Sequence, residues 1–392
     1  MMADVKGVGL IGCGNIGVQH LPAWMSALDG FAVVAVADPT PARLTIGQLA
    51  AGLRSEDAYH DYRDLLRRDD IDVVDVCVPP HVRRDVVVAA ARAGKHILAE
   101  KPLATIPADA AVMIEAALTA GVTLGIVHNY LFQPEIVKAM DIIVSGGIGE
   151  VEVVIINHLG IIDYPGAAEY RPTWRHDAAQ SGGGVLMDLI HLVYLAEAFL
   201  CRPIERVSAY VNVRQRKSSV EDIAACRFET PDSVALVNVG WGVGPGGVEI
   251  SGTDGRLAIR YEDGGTFTPF REMVLSDHRG SRAVDTPLGE HPMELVIRDF
   301  AESLTAGRPS AATGEQGLRF LEATVAAYQS AATGCTVGLP LDPTGPVFLH
   351  GLSGLRDLDL PNWTPVRRKE IFGVTAGSSA APAVARSHGA RR

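Results

Sequence analysis

Two hydrophobic rhythms divide the chain. Over residues 5–127 short, nearly continuous apolar runs (KGVGLIG, FAVVAVAD, DVVDVCVP, KHILAE and VTLGIV) alternate with alanine-rich or charged stretches of helical length. A strand that is apolar on both sides has both faces covered, so this alternation predicts parallel strands joined by crossover helices in a doubly wound sheet. After about residue 128 the runs VEVVIINHLG, RVSAYVNVRQR, AACRFET, SVALVNVGWGV and VEISGTDGRLAIRYED follow one another with little helix between them. Consecutive strands without crossovers predict a large open, mostly antiparallel sheet, and GTDG joins two of its runs as a hairpin turn would. Helices are expected again over 290–305 and 314–332. In SGGGVLMDLIHLVYLAEAFL, Ser181 to Leu200, three glycines in a row suggest that something approaches the backbone closely, and the run after them is apolar on nearly every side of a helical wheel, which predicts a helix buried all round.

At 392 residues the chain exceeds the roughly 250–300 that one core supports. The two rhythms therefore read as two domains, 1–127 and 128–345, followed by an extension over 346–372. Residues 373–392 are small, polar and basic without periodicity and are expected to be a disordered tail. A net charge of −11 argues against nucleic acid or an anionic membrane surface as partner, since both select basic patches. No run reaches the roughly 18 apolar residues of a membrane span. The chain enters its first strand without a leader pattern, which reads as cytoplasmic. Its five cysteines are scattered and form no C-x-x-C pair, as reduced thiols would be.

Candidate chemistry begins at GLIGCGNIG. Gly12, Gly14 and Gly17 form G-x-G-x-x-G between a strand and a helix expected to reach about Ala27, with Asn15 and Ile16 inside the motif. Such a turn brings backbone close to a pyrophosphate and aims helix N-terminal amides at it. Asp38 ends the second strand about 20 residues further on, where a carboxylate grips a ribose 2′-hydroxyl and repels a 2′-phosphate. NAD is thus favoured over NADP, although Arg43 leaves NADP open. CVPPH and AEKPL lie at the carboxyl ends of the next two strands, which points Val78, Pro79, His81, Glu100 and Lys101 at the cofactor. The alternatives are a glycine turn that only packs a helix and a solvated lysine held by Pro102. In the apolar stretch after the three glycines, Asp188 and His191 are either a satisfied core pair or site residues. As metal ligands they lack a third partner, so no metal is expected.

GCGNIG, Asp38, VPPH, AEKPLA and SGGGVLMD followed by a histidine, in this order, resemble the glucose-fructose oxidoreductase and inositol dehydrogenase (Gfo/Idh/MocA) family over residues 6–340. The resemblance implies an α/β protein with an N-terminal Rossmann domain and a C-terminal α+β domain whose open sheet mediates homo-oligomerisation, as a dimer or tetramer. It implies oxidation or reduction of a sugar or polyol with NAD(P), with Lys101, Asp188 and His191 catalytic. One departure stands out: the family places the histidine four residues after the aspartate, often with a glycine between, whereas here the spacing is three. In a continuous helix these two residues still share a face, and the expected mechanism has His191, oriented by Asp188, taking the hydroxyl proton while Lys101 stabilises the oxyanion. Asn129 and Tyr130, at the crossing between domains, and Arg175 beside Trp174 are candidate substrate contacts. GIIDYPGAAEYRPT, residues 160–173, is a candidate lid. Competing readings are a redox-cycling hydrolase or lyase with tightly held NAD, a non-catalytic NAD sensor, and an aldehyde or imine reductase.

Overall fold

The structure is a computed structural model that describes residues 5–357 apart from 27–29, 162–172, 214–219, 243, 263–268 and 287–288. The expected tail and nearly all of the expected lid lie outside the described residues. Six parallel strands form the first sheet: β1 (Lys6–Ile11), β2 (Phe31–Ala37), β3 (Ala58–Tyr59), β4 (Val73–Val76), β5 (His96–Ala99) and β6 (Leu124–Ile126). Their order is β3-β2-β1-β4-β5-β6. Val8, Val36, Val73, Val74, Val76 and Ile97 are fully buried, as both-face coverage by helices requires. The chain leaves β1 in one direction and returns at β4 on its other side, so a crevice opens beyond the carboxyl ends of these two strands. Gly12, Asp38, Cys77 and Glu100 all follow directly on strand ends there.

Nine strands form the second sheet: β7 (Val151–Ile161), β8 (Arg206–Asn212), β9 (Ile223–Glu229), β10 (Val234–Trp241), β11 (Gly246–Gly252), β12 (Gly255–Tyr261), β13 (Phe270–Asp277), β14 (Gly280–Val284) and β15 (Val337–Gly338). The order is β14-β13-β12-β11-β7-β10-β9-β8-β15, and only β7 and β10 run parallel. The mostly antiparallel expectation holds, including the Thr253–Asp254 hairpin between β11 and β12. Ala235, Val237 and Val239 turn to a core shared with helices His191–Leu200 and Gly314–Thr333, while Leu236 and Tyr210 remain exposed. The expected late helices are found at Pro292–Ala306 and Gly314–Thr333, the latter opened by a Thr313/Gln316 capping box.

The stretch after Ser181 corrects the sequence reading. After the short helix Ala178–Ser181 and the glycines, it is not one helix but two pieces, Val185–Asp188 and His191–Leu200, and the last is bent 43° from the segment before it. Gly182, at φ 81°, takes the left-handed conformation that ends the short helix. At the break between the two pieces the ammonium of Lys101 donates to the carbonyl of Asp188 at 2.7 Å, while the N–H of Leu192, which that carbonyl would accept in a continuous helix, goes to Leu189 O at 3.0 Å. Among the described residues no single helix is long and apolar enough to cross a membrane. All five cysteines are free thiols.

Candidate active site

A cleft of about 600 Å³ runs from the crevice at β1 and β4 to the broken helix. Gly12 has φ 100°, and a Cβ there would lie 2.8 Å from the Cys77 backbone. Gly14 opens the helix Asn15–Met25, and nothing lies within 4 Å of where its Cβ would be, so its backbone faces open space where a diphosphate could approach. Gly17 does not line the cleft. Its missing side chain makes room for the Gly12 carbonyl, a packing role between helix and turn. Asp38 accepts the N–H groups of Cys13 at 2.9 Å and Thr40 at 2.8 Å, which holds the carboxylate at the cleft wall. Arg43 donates to Asn15 Oδ1 at 3.2 Å and is not part of the lining. Asn15, Ile16, Val78, Pro79, His81 and Glu100 all line the cleft. The buried guanidinium of Arg83, not singled out in the sequence, donates to the carbonyls of Val78 and Pro102 and so ties two strand-end loops together.

Beneath this end lies a buried polar chain that the sequence reading missed. His20 is fully buried, with Nδ1 2.9 Å from Asp75 Oδ2 and Nε2 3.2 Å from Glu100 Oε1. Trp24 donates to the same Asp75 oxygen at 2.8 Å, and Glu100 Oε2 accepts the backbone N–H of Lys101 at 2.9 Å. Burial works against a charged imidazole, yet Cys77 and Asp75 beside it hold the His20 pKa well above its ordinary 6.5. Burial, reinforced by Asp75, pushes the Cys77 thiol up, with His20 opposing. The legible signals were an aspartate inside an apolar strand and a histidine and tryptophan four apart on one helix face.

At the other end of the cleft Lys101, Asn129, Tyr130, Arg175, Asp188 and His191 come together. Asp188 Oδ1 lies 3.8 Å from the Lys101 ammonium and accepts from Arg175 Nε at 3.3 Å, while the Arg175 guanidinium stacks 4.5 Å over Trp174. Burial would raise the Asp188 pKa, but the two cations hold it below the usual carboxylate value. Burial lowers the Lys101 pKa, with Asp188 and Glu100 opposing. Burial, with Lys101 and the histidines 128 and 158 nearby, lowers His191 well below 6.5, so its ring is neutral at pH 7.

Asp188 does not orient His191, contrary to the expected mechanism. The helix break separates the two, and His191 Nδ1 instead shares a 2.6 Å hydrogen bond with Tyr194 Oη. Tyr130 stacks on the imidazole at 4.0 Å and 18°. Asn129 and Tyr130 are delivered by a single tight turn, Asn129–Phe132.

The three glycines make room for protein groups. A Cβ at Gly182 would meet the backbone of Thr105 in the first sheet's half, one at Gly183 the Tyr328 hydroxyl, and one at Gly184 the buried Glu221. Glu221 accepts Gly184 N at 2.7 Å, Leu186 N at 3.0 Å and the Tyr328 hydroxyl at 2.8 Å, and so anchors the turn that carries Asp188. Burial pushes its pKa up to about 7.

Residues 6–128 match the family model described as oxidoreductase family, NAD-binding Rossmann fold, and residues 136–258 match the GFO/IDH/MocA C-terminal domain. The chain is 32% identical over 284 residues to 1,5-anhydro-D-fructose reductase of Ensifer adhaerens, covering 69% of this chain and 80% of that one. It is 30% identical over 201 residues to levoglucosan dehydrogenase of Pseudarthrobacter phenanthrenivorans; that match spans 48% of this chain and only 50% of the relative. The crystal structure of aldose-aldose oxidoreductase from Caulobacter crescentus, complexed with glycerol, superposes with a TM-score of 0.76 at 26% identity, covering 86% of this chain and 100% of that one.

Proposed function

The chain belongs to the Gfo/Idh/MocA oxidoreductases, and from that premise we propose that it is a dehydrogenase passing hydride between a secondary alcohol of a sugar or polyol and NAD. One observation carries this reading: a single cleft has Gly14 and Asp38 at one end and Lys101, Asp188 and His191 at the other. The residues fit a dinucleotide. Gly14 leaves backbone open where a diphosphate would be held, Asp38 would bond the adenosine ribose, and Val78, Pro79 and Glu100 line the cleft between them and Lys101. When bound, NAD supplies the hydride acceptor.

The chain's own groups handle the proton and the charge. His191 is neutral and buried, so it can exchange a proton with the substrate oxygen without first being titrated. Lys101 spends one N–H on the Asp188 carbonyl and keeps others for the substrate oxygen, whose developing negative charge an ammonium in a dry site stabilises. Asp188 offsets the charges of Lys101 and Arg175 and holds both at the cleft. Asn129, Tyr130 and Arg175 offer hydrogen bonds and an aromatic edge to a polyhydroxylated ligand. Asp38 supports NAD over NADP, because Arg43 is engaged with Asn15. The exposed face of the second sheet, with Leu236 and Tyr210, supports homo-oligomerisation there. The activities named for the relatives favour this reading over an NAD sensor or a redox-cycling hydrolase.

Purified protein incubated with NAD or NADP and a panel of inositols, aldoses and anhydrosugars, followed by the absorbance of reduced nicotinamide, tests the reading. Turnover with NAD that Lys101→Ala abolishes supports it; turnover unaffected by that change contradicts it.

A further inference from the structure

The short Asp188 to His191 spacing leaves the imidazole in need of another partner, and the geometry points to Tyr194 as the positioning residue that aims His191, through a bond that works in either proton direction. This inference rests on reading His191 as the proton-exchanging group. Tyr194 lies three residues on from His191 in the helix His191–Leu200, so the two share a face, and its hydroxyl oxygen lies 2.6 Å from Nδ1. The phenol is itself pinned: it is 1% exposed, and its oxygen accepts the Tyr130 N–H at 3.1 Å. The same residue, Tyr130, lays its ring against the His191 face at 4.0 Å. One edge and one face of the imidazole are thereby fixed from a single turn, and the edge left over is Nε2, in a residue that lines the cleft.

A phenol differs from a carboxylate in this place. A carboxylate only accepts, so it would require Nδ1–H and leave Nε2 always bare. A hydroxyl can accept from Nδ1–H or donate to a bare Nδ1. Both neutral tautomers are then held in the same place, one whose bare Nε2 accepts a hydrogen bond from an alcohol and one whose Nε2–H donates a hydrogen bond to a carbonyl. In oxidation the alcohol O–H bond breaks as its proton passes to bare Nε2, giving an imidazolium whose Nδ1–H stays on Tyr194 Oη, and that imidazolium is the form that returns the proton in the reverse direction. Neutrality suits the surroundings, since burial keeps His191 uncharged and pushes the Tyr194 hydroxyl well above its ordinary 10.

The test uses full-length protein with NAD and a polyol that it turns over, comparing Tyr194→Phe with wild type and with His191→Ala. Tyr194→Phe should lower kcat by about 100-fold, as misaiming a reacting group does, with KM for NAD unchanged. The 15N resonances of His191, identified by their loss in His191→Ala, should lie between the two neutral-tautomer limits in wild type and move to one limit in Tyr194→Phe. Wild-type kcat in Tyr194→Phe, with His191→Ala inactive, overturns the role of Tyr194 and leaves His191 in place. Full turnover in His191→Ala overturns the reading beneath it. If Tyr194→Phe does not fold, the wild-type spectrum decides, because a Nδ1 fixed in one tautomer is incompatible with a two-way partner.

Discussion

Replacing Glu221 by glutamine should change stability in a way that depends on pH. The wild-type carboxylate is 1% exposed and meets two backbone N–H groups and one hydroxyl. Its pKa is pushed from the ordinary 4.5 up to about 7 by burial, so the folded chain holds this proton after the unfolded chain has lost it. A group raised in this way contributes stability that is fully present below 4.5 and is lost as pH climbs through about 7. At 1.36 kcal/mol per pH unit the loss amounts to roughly 3 kcal/mol. Glutamine cannot ionise, so it removes this slope. Its NH2 must also face either Gly184 N–H or Leu186 N–H, a mismatch that costs about 1–3 kcal/mol at every pH. Urea denaturation of both proteins between about pH 5 and pH 8 separates the two contributions. The variant should be the less stable near pH 5 and should gain on wild type by roughly 3 kcal/mol by pH 8. A stability difference that stays flat over this range refutes the buried, late-titrating carboxylate, whatever its size.

Gly14→Ala should leave the melting temperature unchanged, because its φ of −67° suits any residue and no atom lies within 4 Å of the new methyl group, yet it should raise KM for NAD by filling the diphosphate approach. Equal KM values would place the cofactor elsewhere. Asp38→Ala should erode the ratio of kcat/KM for NAD over NADP by removing the charge that opposes a 2′-phosphate; an unchanged ratio argues against that role. His20→Gln leaves Asp75 and Glu100 without their shared cation, a change that costs on the order of 3–5 kcal/mol in a buried pair. Because the folded-state pKa of His20 is raised, the deficit should be greatest below its ordinary 6.5 and narrow as pH rises through the folded value, readable in denaturation midpoints against pH.

What was legible in the sequence was local. The runs of β1, β2, β4, β5 and β6 are apolar on both faces, and Gly12, Gly14 and Asp38 follow strand ends, so their end of the cleft can be placed from nearest neighbours alone. β3 is two residues long and β14 is mostly exposed with polar residues, so neither carries an alternation to read. The end of the cleft that carries Lys101, Asp188 and His191 depends on distant partners. The break at Asp188 is set by Lys101, 87 residues earlier, and the glycine turn by Glu221, 37 residues later. From the apolar run alone a helix was the reasonable reading, and a helix carries Asp188 and His191 on one face. Tyr194 sat inside that run as one more large core residue. Only its hydroxyl, brought between His191 and the backbone of Tyr130, distinguishes it from packing.

The most direct test of the central claim follows the hydrogen itself. A polyol substrate carrying deuterium on the reacting carbon is incubated with NAD and wild-type, Lys101→Ala or His191→Ala protein, and the nicotinamide is examined for label at C4. Label should accumulate with wild type and fall by about 10²–10⁴-fold in rate with either variant while both remain folded. Transfer at the wild-type rate in both variants would contradict a catalytic site built from Lys101 and His191.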